Sequence, residues 1–381
     1  MRLQSSGMLT KCYRCVTHIQ SRAGRAWLLF CVAALFSAGF ATAKAQQPAS
    51  TSNTVKKSDP TTGYKIKRWF EFDALSISAR YRLIQNAGGI TTNDQLQYQF
   101  AGRGHFKFDK DGKYSVYAGL FTGNTFTAGW DTTGWGTGNP QTNLYLKQLY
   151  FDAKPVKGLE FQFGGIPFNN GENTEITTYD NDAYLTGERI AVRMPKNYYF
   201  DEISAANGYI GDLTQPGIFH RFKHLNKSNY HQFLVRKQVN KHVSFSADYT
   251  FESGRDTLHQ AVKFKVPESH ILDTVLFENY QRVDPTTGYG MNLYGEKVLK
   301  KKVTLGGGFA RIDRPMNNGD RFPPGKRLYI NGSVKLTREL TLSSILIEGV
   351  GKMPSSASVR RRFEIIFSYN ILETLHKLKL N

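Results

Sequence analysis

The feature that most limits what this chain can become is a two-residue alternation of apolar and polar side chains. It recurs in runs of about ten residues from position 69 almost to the C-terminus, with hardly a helical period among them. The clearest run is Leu96 to Phe108. Leu96, Tyr98, Phe100, Phe106 and Phe108 hold one phase, and Gln97, Gln99, Arg103, His105 and Lys107 hold the other. Successive side chains of a strand point to opposite faces, so this run presents one apolar face and one polar, cationic face. Gly102 and Gly104 interrupt the apolar phase; if the wall bends or a loop packs anywhere in this strand, it is expected there.

The same pattern repeats along the chain. Ile77, Ala79, Tyr81 and Leu83 alternate with Ser78, Arg80 and Arg82, and Tyr114, Val116, Ala118 and Leu120 with Lys113, Ser115 and Tyr117. Val243, Phe245, Ala247, Tyr249 and Phe251 face the opposite way to Ser244, Ser246, Asp248 and Thr250. Leu328, Ile330, Val334 and Leu336 oppose Arg327, Tyr329, Asn331 and Lys335. Val359, Phe363, Ile365, Phe367, Tyr369 and Ile371 oppose Arg360, Arg362, Glu364 and Asn370. Weaker runs lie at 187–194, 229–238, 273–283, 288–298 and 302–312, which brings the expected total to about 16 strands.

Alternation alone fits a soluble sandwich as well as a membrane wall. Strand length decides between them: soluble strands average about five or six residues, whereas a tilted strand crossing a bilayer needs about 9 to 11. A closed barrel also satisfies every backbone group and leaves no edge. The expected fold is therefore all-β, a closed antiparallel transmembrane β-barrel over residues 69–381. Short turns alternate with longer polar loops such as Gly123 to Asn143 and Asn169 to Gly187, as turns on one side of a membrane and external or infolded loops on the other would require.

The start of the chain reads as an export signal. Residues 1–45 carry six basic residues and no acidic one, and an apolar run from Trp27 to Phe40 leads to Ala43-Lys44-Ala45, a small-x-small cleavage site. All three cysteines, Cys12, Cys15 and Cys31, lie in this leader. Cys12-x-x-Cys15 has no second pair to complete a metal site. Residues 46–68, rich in Gln, Ser, Thr, Pro and Lys at their start, are expected to be a flexible segment. Cutting the leader lowers the formal charge of +19 to about +13. Export removes nucleic acid as a partner and leaves an anionic membrane surface or anionic solutes.

One block carries a resemblance. Leu144-Tyr-Leu-Lys-Gln-Leu-Tyr-Phe-Asp-Ala-Lys-Pro155 followed by Gly158-Leu-Glu-Phe-Gln-Phe-Gly-Gly-Ile-Pro-Phe168, with Glu188-Arg189 beyond, resembles the porins of bacterial outer membranes and most of all the phosphate-selective porin O and P family. The likeness covers about residues 70 to 200, and the rest follows by pattern alone. It implies a water-filled channel in the bacterial outer membrane for passive diffusion of small hydrophilic solutes, with phosphate-like anions as the preferred class. It also implies contact with outer-membrane lipid and lipopolysaccharide, no nucleic acid, and allows a homotrimer. Such barrels end on a strand with a terminal aromatic residue, whereas here Leu372 to Asn381 continues past the last strong run. Either the final strand lies differently or a short tail follows it.

For such a channel the chemistry is a field. The polar phase supplies Arg80, Arg82, Arg103, Lys107, Arg189, Arg193, Lys263, Lys265, Arg327, Arg360 and Arg362 as expected pore-lining cations, and rings of Arg and Lys favour anions. The opposing interpretation pairs these charges with acids across the lumen or places them among lipid headgroups. The loop from Asn169 to Tyr184 carries Glu172, Glu175, Asp180 and Asp182, expected as a constriction loop; Asp180-x-Asp182 lacks the remaining pattern of a calcium loop. No metal, cofactor or catalytic residue is expected, because the histidines, among them His105, His220, His224 and His259, fall in no Gly-x-Ser-x-Gly or His-Glu-x-x-His setting. Tyr117, Tyr150, Trp130 and Trp135 are candidates for an aromatic track. The competing function class is a barrel enzyme or a secreted glycan-binding β-protein.

Overall fold

The computed structural model describes residues 64–67, 69–126, 128–174, 184–195, 198–266, 271–282, 287–313, 322–353, 355–356 and 358–378. The leader expected over 1–45 lies outside these residues. The strands are β1 (Tyr64–Lys67), β2 (Phe70–Asn86), β3 (Thr91–Lys107), β4 (Tyr114–Phe121), β5 (Tyr145–Ala153) and β6 (Leu159–Pro167). They continue as β7 (Tyr184–Arg193), β8 (Glu202–Tyr209), β9 (Tyr230–Gln238), β10 (Val243–Glu252), β11 (Arg255–Lys265) and β12 (Thr274–Arg282). The last five are β13 (Gly288–Leu299), β14 (Val303–Ile312), β15 (Gly325–Lys335), β16 (Leu340–Gly349) and β17 (Val359–Asn370). Two helices complete the description, α1 (Ile218–Phe222) between β8 and β9 and α2 (Ile371–Leu378) after β17.

Each strand from β2 onward pairs antiparallel with the next, and β17 pairs back onto β2, with Phe363 beside Leu83 and Glu364 beside Arg82. This closes a ring of 16 strands. β1 is a short addition that pairs with the start of β2, so a strand begins inside the stretch expected to be flexible. The connections at 108–113, 154–158, 239–242, 300–302 and 336–339 are short and share one end of the ring. The strand ends that lead into the longer connections, Phe121, Pro167 and Tyr209, lie at the opposite end.

The register shows why the alternation matters. Arg236, Ser246, Ala261, Glu278, Asn292, Ala310 and Arg327 are successive cross-strand partners from β9 to β15, and all but Arg236 are buried. One residue along, Phe245, Val262, Phe277, Leu293, Phe309 and Leu328 form the matching row of the other phase. In that row Phe277, Leu293 and Leu328 are exposed. Exposed Ile77, Leu120, Phe161, Phe163, Ile190, Phe233 and Phe367 carry the same phase onto other strands. An apolar belt outside and a polar, ionised wall inside are what a closed barrel in hydrocarbon needs. Among the described residues no helix is long and apolar enough to cross a membrane.

Three details differ from the sequence pattern. β8 escapes notice because its outward phase, Ile203, Ala205 and Asn207, holds a single large apolar residue. β7 begins at Tyr184, so the loop before it is shorter than Asn169 to Gly187. The last strand stops at Asn370, where the Asn370 side-chain oxygen accepts from the Leu372 backbone N–H at 3.0 Å and starts α2; Ile371 belongs to that helix. The short tail is thus the arrangement found. Opposite Gly104, one of the two glycines at which a bend or a packed loop is expected, the β2–β3 register shifts between Phe72 and Ala74. A Cβ at Gly104 would lie 3.0 Å from the Glu71 carbonyl oxygen and 3.2 Å from the Phe70 ring. Asp73, in the shifted segment, accepts from or pairs with His105 Nδ1 at 2.9 Å.

Candidate functional site: the inner wall

On the β17–β2 wall three arginines converge on one acid. Arg82 Nε lies 2.6 Å from Glu364 Oε1, Arg362 Nη2 2.8 Å and Arg80 Nη1 3.6 Å from the same oxygen. Arg80 also donates to Gln97 Oε1 and lies 4.4 Å over the Trp130 ring. Gln97 in turn donates to the Trp130 carbonyl. All four ionised side chains are buried, with Glu364 at 0% exposure, and among the described residues Glu364 is the acid that the three guanidinium groups share. Placing them together follows from closure alone, because β2 and β17 lie at opposite ends of the sequence.

Half a ring away the wall from β8 to β12 is covered by the first part of the loop after β6. Asn169 Nδ2 donates to Glu202 Oε1 on β8 at 2.9 Å, and its carbonyl accepts from Gln232 on β9 at 2.8 Å. The Glu172 backbone N–H donates to Ser246 Oγ on β10 at 2.8 Å, and the Glu172 carboxylate pairs with Arg236 on β9 at 2.7 Å. Thr174 Oγ1 donates to Glu278 Oε2 on β12 at 2.7 Å. Glu278 also accepts from Asn292 on β13, whose side-chain oxygen accepts from Tyr329 on β15 at 2.7 Å. Gly171 makes the close approach possible: it adopts φ +61°, and a Cβ there would sit 2.7 Å from the Ser246 side chain. Residues 169–174 therefore run along the inner face of the barrel. Glu175, Asp180 and Asp182 lie outside the described residues.

The remaining lining cations fall into two groups. Lys107 pairs with Glu71 at 2.7 Å, and Arg193 pairs with both Glu160 and Glu202. Lys263 is buried within the field of Glu172 and Glu296, and Lys265 is half-buried at the end of its strand. Arg189 and Arg103 meet neutral partners: Arg189 donates to Gln162 and to the Pro167 carbonyl, and Arg103 donates to the Tyr184 hydroxyl and lies 5.2 Å from the Phe121 ring centroid.

Two expected lining residues do something else. Arg327 is fully buried and donates to the carbonyls of Pro323, Pro324 and Val359, pinning loops at the end of the ring. Arg360 is exposed and pairs with Glu348, a residue whose partners Leu328 and Arg361 stand on the outer phase. A register shift between Val359 and Arg361 breaks the alternation that placed Arg360 inside.

The aromatic track also resolves differently. Tyr117 and Tyr150 stack on each other at 4.8 Å and 3°, and His105 stacks on Tyr117 at 4.7 Å. Tyr150 is buried and Tyr117 is half-buried, so their ring faces cover each other. Trp130 lies under Arg80, while Trp135 is exposed and its backbone bridges to Leu96, pairing the edge of β3 that the shorter β4 leaves open. The residues that sequence reasoning missed are Arg236, Glu278 and Asn292. They sit on strands with weak alternation, and the signal for Arg236 was its place on the polar phase beside Leu234 and Gln232.

Closure, outer belt, charged inner wall and infolded loop define the molecule as a transmembrane β-barrel with a loop laid along its inside. No family model matches the sequence, and no curated protein does; the likeness lies among solved structures. Pseudomonas putida OprB in its high-pH structure is 12% identical over 80% of this chain and 94% of that one, with a TM-score of 0.54. Salmonella typhi OmpF in complex with daunomycin is 8% identical over 80% and 98%, with a TM-score of 0.53. A mutant of Rh. blastica porin is 13% identical over 78% and 99%, with a TM-score of 0.50. The chain shares with them the fold of an outer-membrane porin barrel.

Proposed function

We propose that this protein is a porin of the bacterial outer membrane, passing small hydrophilic solutes by passive diffusion and preferring anions. The observation that carries this reading is a closed 16-strand ring whose inner face is polar and ionised, with residues 169–174 laid across β8 to β12 and Arg80, Arg82 and Arg362 clustered on the wall half a ring away. A loop held against one wall narrows the bore, and arginines gathered on a pore wall are the device by which such channels favour anions. Arginine also binds oxyanions through two parallel hydrogen bonds, which supports phosphate-like solutes and the phosphate-selective porin O and P type. The hairpin that carried that resemblance is β5–β6 here. Outer-membrane lipid and lipopolysaccharide would meet the apolar belt, and a homotrimer is the assembly proposed.

Conductance across a planar bilayer tests the reading. Purified protein is expected to give stepwise ohmic currents, with a reversal potential in a KCl gradient that reports anion preference and a chloride current reduced by added phosphate. Absence of channels, or cation preference, would sink it.

A further inference from the structure

We infer that Asp212, His220 and His224, in the connection between β8 and β9, form a binding site for a divalent transition-metal ion of the zinc class. The three residues are outside the inner wall and play no part in the proposed permeation path.

His220 sits on α1 and His224 in the turn that follows it, where Lys223 N–H bonds to the His220 carbonyl and His224 N–H to the Arg221 carbonyl. Four residues apart on a helical path, the two imidazoles fall on one face. Both present Nε2 to the same carboxylate oxygen: Asp212 Oδ2 is 3.1 Å from His224 Nε2 and 3.7 Å from His220 Nε2. All three donor atoms lie within 4.8 Å of one another. Tetrahedral zinc with bonds of about 2.0–2.2 Å places its ligand atoms about 3.3–3.5 Å apart, so the two edges at Asp212 need shifts of a few tenths of an ångström and the edge between the imidazoles, within 4.8 Å, closes by side-chain rotation. His224 Nδ1 is buried without a hydrogen-bond partner, which leaves Nε2 as the nitrogen of that ring directed at a ligand. Asp212 is exposed, so a fourth position can be filled by water. Two histidines, one carboxylate and an open position form a donor set that suits zinc.

The site is built before any ion arrives. Arg221, between the two histidines, is fully buried and fixes the ligand backbone: it donates to the carbonyls of Tyr209, Gly211 and Asp212 and to Thr186 Oγ1, and its guanidinium lies 3.6 Å over the Phe126 ring. The Tyr209 ring packs 5.1 Å from the His224 ring. One residue thus clamps the strand end that carries Asp212 to the helix that carries His220.

Untagged full-length protein, purified in detergent and stripped with EDTA, is to be dialysed against Zn²⁺ and assayed by elemental analysis, with Co²⁺ titration followed by visible absorption. One ion per chain and the strong visible bands of tetrahedral Co²⁺ are expected. The His220→Ala/His224→Ala double variant is expected to lose both, and Asp212→Asn, a change at an exposed side chain, to weaken Co²⁺ binding about tenfold or more. Heat-modifiable gel migration checks that each variant keeps its barrel. Equal metal retention by the wild type and both variants, or only weak octahedral Co²⁺ bands in the wild type, overturns the site and leaves histidine–aspartate ion pairs in its place.

Discussion

Two walls of one barrel, built from the same alternating pattern, are partnered differently among the described residues. At β17–β2 three buried arginines lean on Glu364. At β8 to β12 the polar phase is met by a loop, and its charges and amides are matched one by one: Arg236 by Glu172, Ser246 by the Glu172 N–H, Glu278 by Thr174. The difference teaches that inward polarity does not set a field by itself. What a wall presents to a solute depends on whether another segment has already taken its donors and acceptors.

The comparison breaks most severely at Glu364. Replacing it by Ala leaves three buried guanidinium groups together, and removing one member of a buried charge cluster costs about 3–5 kcal/mol; the transition temperature for heat-modifiable migration should fall far more than for any other single change on this wall. Arg80→Gln with Arg82→Gln leaves Arg362 to neutralise Glu364, so the barrel should form. Its anion-to-cation permeability ratio, read from reversal potentials, is expected to drop roughly fivefold to tenfold; an unchanged ratio would remove this wall as the selectivity element.

The covered wall is sharpened by smaller changes. Gly171→Val puts a branched side chain at a left-handed φ and against Ser246, so the loop should lift and single-channel conductance should rise with added current noise. Glu172→Gln removes a largely buried charge whose partner Arg236 is exposed; a shift toward anions of less than about twofold is expected, since the guanidinium it releases is screened by solvent and salt. The mildest effect belongs to neither wall. Asp109, in the turn between β3 and β4, accepts backbone N–H groups from Tyr114, Lys113 and Asp111, and these bonds, Tyr114's first, hold its carboxyl below the ordinary value of 3.8. A depressed carboxyl stabilises the fold above its unfolded value and loses that contribution as pH falls through the folded one. The thermal difference between wild type and Asp109→Asn should therefore be full near pH 6 and shrink below about pH 4.

Much of this was legible in the chain. The two-residue alternation at Leu96–Phe108, Val243–Phe251 and Val359–Tyr369 already assigned each side chain to a phase, because pleating leaves a strand residue only two directions. It assigned Arg80, Arg82, Arg362 and Glu364 to the inner face without saying that they touch. It misplaced Arg360 because a register shift at one residue reverses the phase, and it made Arg327 a lining residue because periodicity does not reveal that three carbonyls wait for a guanidinium. The hairpin at Leu144–Phe168 was readable for the same local reason, a tight turn between two alternating runs.

What the sequence determined by itself is the strand pattern, the two phases and the polar loops, all properties of a few neighbouring residues. Only the tertiary structure decided that β17 closes on β2, that the loop after β6 lies inside against β8 to β12, and that Asp212 meets His220 and His224. Those contacts join residues whose proximity depends on ring closure and loop path, and local periodicity carries no information about either.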